Sequence, residues 1–194
     1  MSPVVEATRD EIEAAFPLVR ELTEPTRGAV VRLWQDMLLE SPWEGLADCP
    51  YSPERPGVSL VAHTNAVTEA ALALLQTEER HGDGRVTADR QLVIAIGLLH
   101  DVSKLVEHEP CEGGCRLSEL GRRLQHAVYA AHKAMALGVP LDVVEVLVNH
   151  TPQSGRHPES AEGLVIYYAD AALGDLSRWA NGKPLHVARS KGQV

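Results

Sequence analysis

Long apolar runs are missing from this chain. No stretch approaches the ~18–20 consecutive apolar residues that a membrane-spanning helix needs, and Met1 to Glu6 lacks the charged-then-apolar pattern of an export signal. Cysteine is scarce. Cys49, Cys111 and Cys115 make an odd number, which argues against a disulfide framework and for reduced thiols in a cytoplasmic protein. Aromatic residues are only 4% of the chain and long alternating runs are absent, so β-structure has little to build on. Basic charge is short as well: 18 Lys and Arg stand against 27 Asp and Glu, a formal net charge of −9. That balance argues against a broad nucleic-acid-binding face but leaves room for a small anionic substrate in a local pocket.

What is present reads as helix. The 194 residues suit one domain with a substantial core. A first helix is expected from about Thr8 to Leu22, opened by Thr8 and the acidic turn Asp10, Glu11 and Glu13. Pro25 starts a second, running to Leu39 with Val30, Leu33, Trp34, Met37 and Leu38 at helical spacing. Proline and glycine from Ser41 to Gly57 predict a long loop, a candidate cover for a site. A third helix, about Val58 to Arg80, puts His63, Val67, Ala70 and Leu74 on one face. Thr87 is the expected cap of a fourth, which carries the apolar run Leu92 to Leu99.

Beyond a loop at Gly113-Gly114, a fifth helix is expected to reach about Leu137, with Leu117, Leu120, Leu124, Val128, Ala131 and Met135 as its apolar stripe. The sixth covers Leu141 to His150. A polar loop, Gln153 to Pro158, leads to a last long helix ending near Trp179, and a polar tail follows from 181 to 194. The reading is all-α and single-domain, a bundle of about six to seven helices.

One stretch resists a plain structural explanation. His100-Asp101 closes the apolar run, with Lys104 three residues on, and an Asp there requires a partner or a bound ion. His63 lies on the apolar face of its helix, His150 ends the stripe Val143, Val146, and Asp170 sits beside Ile166 and Leu173 inside the last helix. Each alone is more simply a satisfied buried polar group, and Asp170 could pair with His63. Together, four helices each projecting His or Asp from an apolar face is how bundles build metal sites. Imidazole and carboxylate suit Mn, Fe, Co, Ni or Zn.

The order His63, then His100-Asp101, then Asp170 resembles the H…HD…D signature of the HD-domain superfamily, all-helical metal-dependent phosphohydrolases. The resemblance covers about Val58 to Leu176. It implies an HD-type metal-binding domain over 58–180; the segment 1–57 is not covered by it and reads as N-terminal helices and a Pro-rich loop packed on that core, with 181–194 a polar C-terminal tail. It further implies one or two divalent ions (Fe, Mn, Co, Ni, Mg or Zn) on His63, His100, Asp101 and Asp170, with two more histidines completing a dinuclear site. Candidates for that pair are His108, His126, His132, His150 and His157; His126 and His150 match best in context. Periodicity places His126 opposite the stripe, beside Arg122 and Lys133, while His132 lies nearer to it.

By the same resemblance, Asp101 and Lys104 are the catalytic candidates, Lys104 by orienting a phosphate. A helix-end lysine meeting the helix dipole is the plainer alternative. The implied activity is hydrolysis of a small phosphate ester or nucleotide through a metal-activated water. A di-iron oxygenase cleaving a C–C or C–P bond of an inositol- or phosphonate-like substrate is the alternative, and a non-catalytic module that keeps metal for structure is a third. Cyclic-dinucleotide phosphodiesterases of the superfamily carry Gly-Tyr-Pro and His-His-Glu motifs; here His150 is followed by Thr151-Pro152-Gln153, which argues against that specificity.

The expected partner is a small phosphorylated substrate, without broad nucleic-acid or membrane binding. Oligomeric state stays open, with Trp34 and Trp43 as interface candidates and core packing as the simpler reading. Arg122, Arg123, Lys133 and the loop Ser154 to His157 are further candidates to line the cleft. The His108 to Cys115 loop is a weak zinc motif, read instead as a loop with reactive thiols.

Overall fold

The computed structural model describes residues 7–151 and 154–190. Its organising element is helix α4 (Arg90–Leu99), in which every residue from Val93 to Leu99 is buried. A helix apolar on all sides must be enclosed by others, and α4 packs against α2 (Thr26–Leu39), α3 (Leu60–His81), α8 (Leu141–Asn149) and α9 (Ala161–Ala180). Asp89, not Thr87, caps it: the Asp89 carboxylate accepts the Gln91 N–H at 2.7 Å. Asp meets the orphan donors of the first turn better than the exposed Thr87 can from two residues earlier. Gly97 makes the closest approach, since a Cβ there would lie 2.6 Å from Thr68 Oγ1 on α3.

The N-terminal segment is anchored to α4 by aromatic packing. Phe16 lies against Trp34 at 4.3 Å between ring centroids, and the Trp34 indole N–H donates to the Leu98 carbonyl at 2.9 Å. The expected single helix from Thr8 to Leu22 is two pieces, because Pro17 cannot donate to Glu13 and its ring excludes a continuous helix. Helix α1 (Arg9–Ala15) has a Thr8/Glu11 capping box, and a 3-10 turn follows over Pro17–Glu21. Glu13 is buried beneath Arg9, Arg20 and Arg27, with nitrogen–oxygen distances of 2.8, 3.2 and 2.6 Å.

Three further expectations give way. Gly113-Gly114 is the turn of a hairpin, β1 (His108–Cys111) paired antiparallel with β2 (Gly114–Leu117), preceded by the short helix α5 (Lys104–Glu107). Gly113, at φ 82°, supplies the left-handed conformation such a turn needs. The fifth helix is also two: α6 (Glu119–Arg123) and α7 (Val128–Ala136), separated by extended Leu124 and by Ala127 at φ 66°. Its proposed stripe is therefore not one face, and Leu117, Leu124, Val128 and Met135 are exposed.

The C-terminal segment is not simply frayed. Helix α10 (His186–Ser190) docks on α9, with Asp175 accepting the His186 and Val187 backbone N–H groups. Residues 1–6 and 191–194, Pro152, and Gln153, the first residue of the expected polar loop, lie outside the described residues. Trp34 and Trp43 are both buried in the core. No described helix is long and apolar enough to cross a membrane.

Candidate metal centre

His100 and Asp101 fall just past the last turn of α4, where the apolar run delivers them into the core: 0% and 2% of their side-chain surfaces are exposed. The Asp101 carboxylate then meets a different pair of imidazoles at each oxygen. Oδ2 lies 3.3 Å from His63 Nε2 on α3 and 3.4 Å from His100 Nε2. Oδ1 lies 3.0 Å from His126 Nε2 and 3.8 Å from His150 Nε2, which follows α8. Asp170, on α9, approaches His63 Nε2 at 3.1 Å through Oδ1. All six candidate ligands named from sequence thus converge, and two groups place their ligand atoms within 4.8 Å of one another: His63, His100, Asp101 and Asp101, His126, His150.

The chemistry of these donors fits a metal. His100 Nδ1 and His150 Nδ1 each lie 2.7 Å from a backbone carbonyl, of Gly97 and Leu147. A carbonyl only accepts, so both Nδ1 atoms carry the proton and both Nε2 atoms offer lone pairs. Those Nε2 atoms, and that of His63, are buried without a hydrogen-bond partner. Lone pairs of imidazole and carboxylate facing one another in the interior are mutually repulsive unless a cation or proton lies between them. Carbonyl groups that fix ring orientation from behind are the usual support of metal-bound histidine.

His126 arrives by another route. The break between α6 and α7 turns it inward, and Glu107 fixes it there: Glu107 Oε2 lies 2.6 Å from His126 Nδ1, while Oε1 accepts the Ala127 N–H at 3.0 Å. One carboxylate therefore orients the ring and holds the left-handed residue beside it. Glu107 escaped the sequence reading because it stands in no motif; its only signal was an acidic residue beside Val106 in an apolar turn.

Lys104 donates to Asp101 Oδ2 at 2.6 Å, with its Nζ 5.2 Å from the centre of the Tyr51 ring. Tyr51, from the proline-rich loop, stacks on His63 at 4.2 Å. That loop does reach the centre, a placement its proline content alone could not give.

Charge balance follows from this geometry. Burial opposes ionisation of Asp101, yet the Lys104 ammonium and the hydrogen bond from His126 hold it well below the usual carboxylate range. Burial likewise opposes His126, but Asp101 and Glu107 raise it to about 9. His63 also moves up, burial being outweighed by Asp101 and Asp170. Burial wins at His150, which stays a neutral donor, its pKa lowered.

The remaining candidates do not gather here. His132 and His157 are exposed, and His108 lies on β1 outside both ligand groups. Lys133 pairs with Glu40 and Asp36, Arg123 with Glu119, and Arg122 donates to the Leu117 carbonyl, so none is turned to the centre. Their nearness in sequence to His126 counted for little once the helix broke. Of the hairpin thiols, Cys115 is buried, which pushes its pKa up and away from reactivity, and Cys111 is exposed.

The HD domain family model matches residues 60–173. A curated protein of Methanocaldococcus jannaschii, dihydroneopterin 2',3'-cyclic phosphate phosphodiesterase, is 30% identical over 115 residues, 58% of this chain and 45% of the relative. The chain thus spans less than half the length of that relative. No solved structure matches it.

Proposed function

Because the chain belongs to the HD domain family, we propose that it is a metal-dependent phosphohydrolase acting on a small phosphate ester or nucleotide. The observation that carries this reading is the Asp101 carboxylate, each of whose oxygens faces its own pair of imidazole Nε2 atoms. His63, His100, Asp101 and Asp170 would hold one divalent ion, and Asp101, His126 and His150 a second. Ions bound there would lower the pKa of a water to near neutrality and take up charge on the phosphoryl oxygens.

The chain's own groups divide the remaining work. His100, His150 and Asp101 form a closed floor, whereas Lys104, His126 and Asp170 are 18%, 18% and 27% exposed and define the side from which substrate arrives. Lys104 sets a fixed ammonium on that open side, suited to an anionic phosphate. Burial opposes its charge, but Asp101 and then Asp170 raise its pKa, so it stays cationic. Tyr51 covers the face of His63 and limits water on that flank. The relative's name places cyclic phosphate diesters first among compounds to try.

The test is metal analysis of the native protein followed by an anaerobic screen of phosphorylated metabolites, with Mn²⁺ or Co²⁺ added. Release of phosphate, or ring opening of a cyclic diester, is expected, and Asp101→Asn should abolish it together with metal binding. In a parallel aerobic screen of the iron-loaded protein, turnover that consumes dioxygen instead would replace the reading with the di-iron oxygenase. A protein that binds no divalent metal would end both.

A further inference from the structure

Helix α9 carries Asp170 on its inner side; its outer side has an unusual composition. The exposed residues of this helix are Leu164, Tyr168, Ala172, Leu176, Trp179 and Ala180, and every one is apolar. In a chain of net charge −9, an exposed helix face without a single charge is unlike the solvated surface elsewhere. The exposure is large, too. Tyr168, Leu176 and Trp179 are 62%, 63% and 74% accessible, and Leu164 is 42%.

The polar groups bordering the stripe are already committed within the chain. Arg178 pairs with Glu54 at 3.0 Å and donates to the Pro184 carbonyl, Asp175 accepts two backbone N–H groups of α10, and Glu162 accepts the Asp89 N–H at 2.7 Å. Covering the stripe therefore strands no bordering charge.

We infer that this face is the contact of a two-fold homodimer in which α9 crosses α9 of a second copy at Ala172. The spacing supports a second copy over a foreign partner. Leu164, Tyr168, Ala172, Leu176 and Ala180 recur every four residues, the ridge that packs against an identical ridge at about −50° in the commonest class of helix pair. An antiparallel crossing at Ala172 sets Tyr168 opposite Leu176 and Leu164 opposite Trp179 and Ala180. The smallest side chain then lies where the axes are closest, and the largest lie where they diverge. Each level pairs apolar with apolar, as an isologous interface requires. Burying the four large side chains removes on the order of 500 Å² per protomer, so the pair reaches the ~1,000 Å² total expected of a biological interface.

Sedimentation equilibrium of the full chain at ~100 μM should return twice the 21.1 kDa chain mass. Trp179→Glu should weaken the dimer at least ~30-fold while leaving the far-ultraviolet circular dichroism and the metal content per chain unchanged. Register is read by cross-linking in a Cys111→Ser background: Ala172→Cys should form a disulfide-linked dimer. Tyr168→Cys should not cross-link to itself but should do so when mixed with Leu176→Cys, one turn either side of the crossing. A monomeric wild type overturns the proposal. So does a dimer indifferent to Trp179→Glu, or Tyr168→Cys self-linking as readily as Ala172→Cys.

Discussion

Gly97→Ala tests the packing that sets the distance between the two halves of the first ligand group. His63 is on α3 and His100-Asp101 follows α4, and these helices touch most closely where Gly97 faces Thr68. An added Cβ would lie 2.6 Å from Thr68 Oγ1, 2.9 Å from its Cγ2 and 3.0 Å from its Cβ. Thr68 is fully buried, and its hydroxyl donates to the Thr64 carbonyl at 2.8 Å, so turning it aside breaks a bond in the interior. Overpacking costs about 1–3 kcal/mol, and the lost hydrogen bond about 1 kcal/mol more. Alanine recovers about 1 kcal/mol through helix propensity. The net loss is about 1–3 kcal/mol, or ~2–12 °C in melting midpoint for a domain of this size. Calorimetry in chelator isolates the stability change from metal binding, and titration with Mn²⁺ then shows weaker binding because His63 has moved from Asp101. In Thr68→Ala/Gly97→Ala only the 3.0 Å Cβ contact remains, and more than half the loss should return. A higher midpoint in Gly97→Ala would show that propensity outweighs the contact, and a double variant no better than the single would show that the clash is elsewhere.

Two further outcomes follow from buried carboxylates. Glu107→Gln keeps an acceptor for Ala127 but turns an amide N–H toward His126 Nδ1, so the neutral imidazole that must bind a metal would carry its proton on Nε2, the atom facing Asp101, rather than on Nδ1; Mn²⁺ affinity by calorimetric titration should fall about 10–100-fold with the fold intact by circular dichroism. Glu13 is held down to about 2 from 4.5, chiefly by hydrogen bonds from Arg9 and Arg27. A depressed carboxylate stabilises fully above its unfolded pKa and loses that contribution as pH falls toward the folded one. The melting-midpoint gap between wild type and Glu13→Gln should therefore be widest above pH 4.5 and shrink toward pH 2, and a gap independent of pH would contradict the three-arginine pairing.

How much of this was legible in sequence depends on what kind of physics placed each residue. The long helices were, because apolar spacing at 3.6 residues and their packing point the same way: α2, α3, α8 and α9 begin and end within a few residues of expectation. His63, His100, Asp101, His150 and Asp170 were legible because each is polar at the end or inner side of an apolar stripe, where burial is costly without partners. The hairpin was not. Its strands are four residues each and include a proline, too short and too polar for alternation to register. Tyr51 and Glu107 were not either, since each acts through a contact distant in sequence that no local pattern encodes.

His126 shows how a residue can reach the cluster although periodicity argued against it. A continuous helix through residues 119–136 places it on the polar side, away from the core. Nothing in Leu124-Gln125-His126-Ala127 carries a glycine or proline to signal a break, and alanine at φ 66° is intrinsically disfavoured. The break exists because Glu107, fixed by α5, accepts the Ala127 N–H and meets the His126 ring. A buried carboxylate there would otherwise be unpaired, a penalty of several kcal/mol against about 1–2 kcal/mol for one left-handed residue. The tertiary contact wins, the helix yields, and the phase of every stripe counted across residues 124–127 is lost. Family resemblance reached His126 because it compares residue order, which a broken helix leaves unchanged, whereas periodicity compares angles, which it does not.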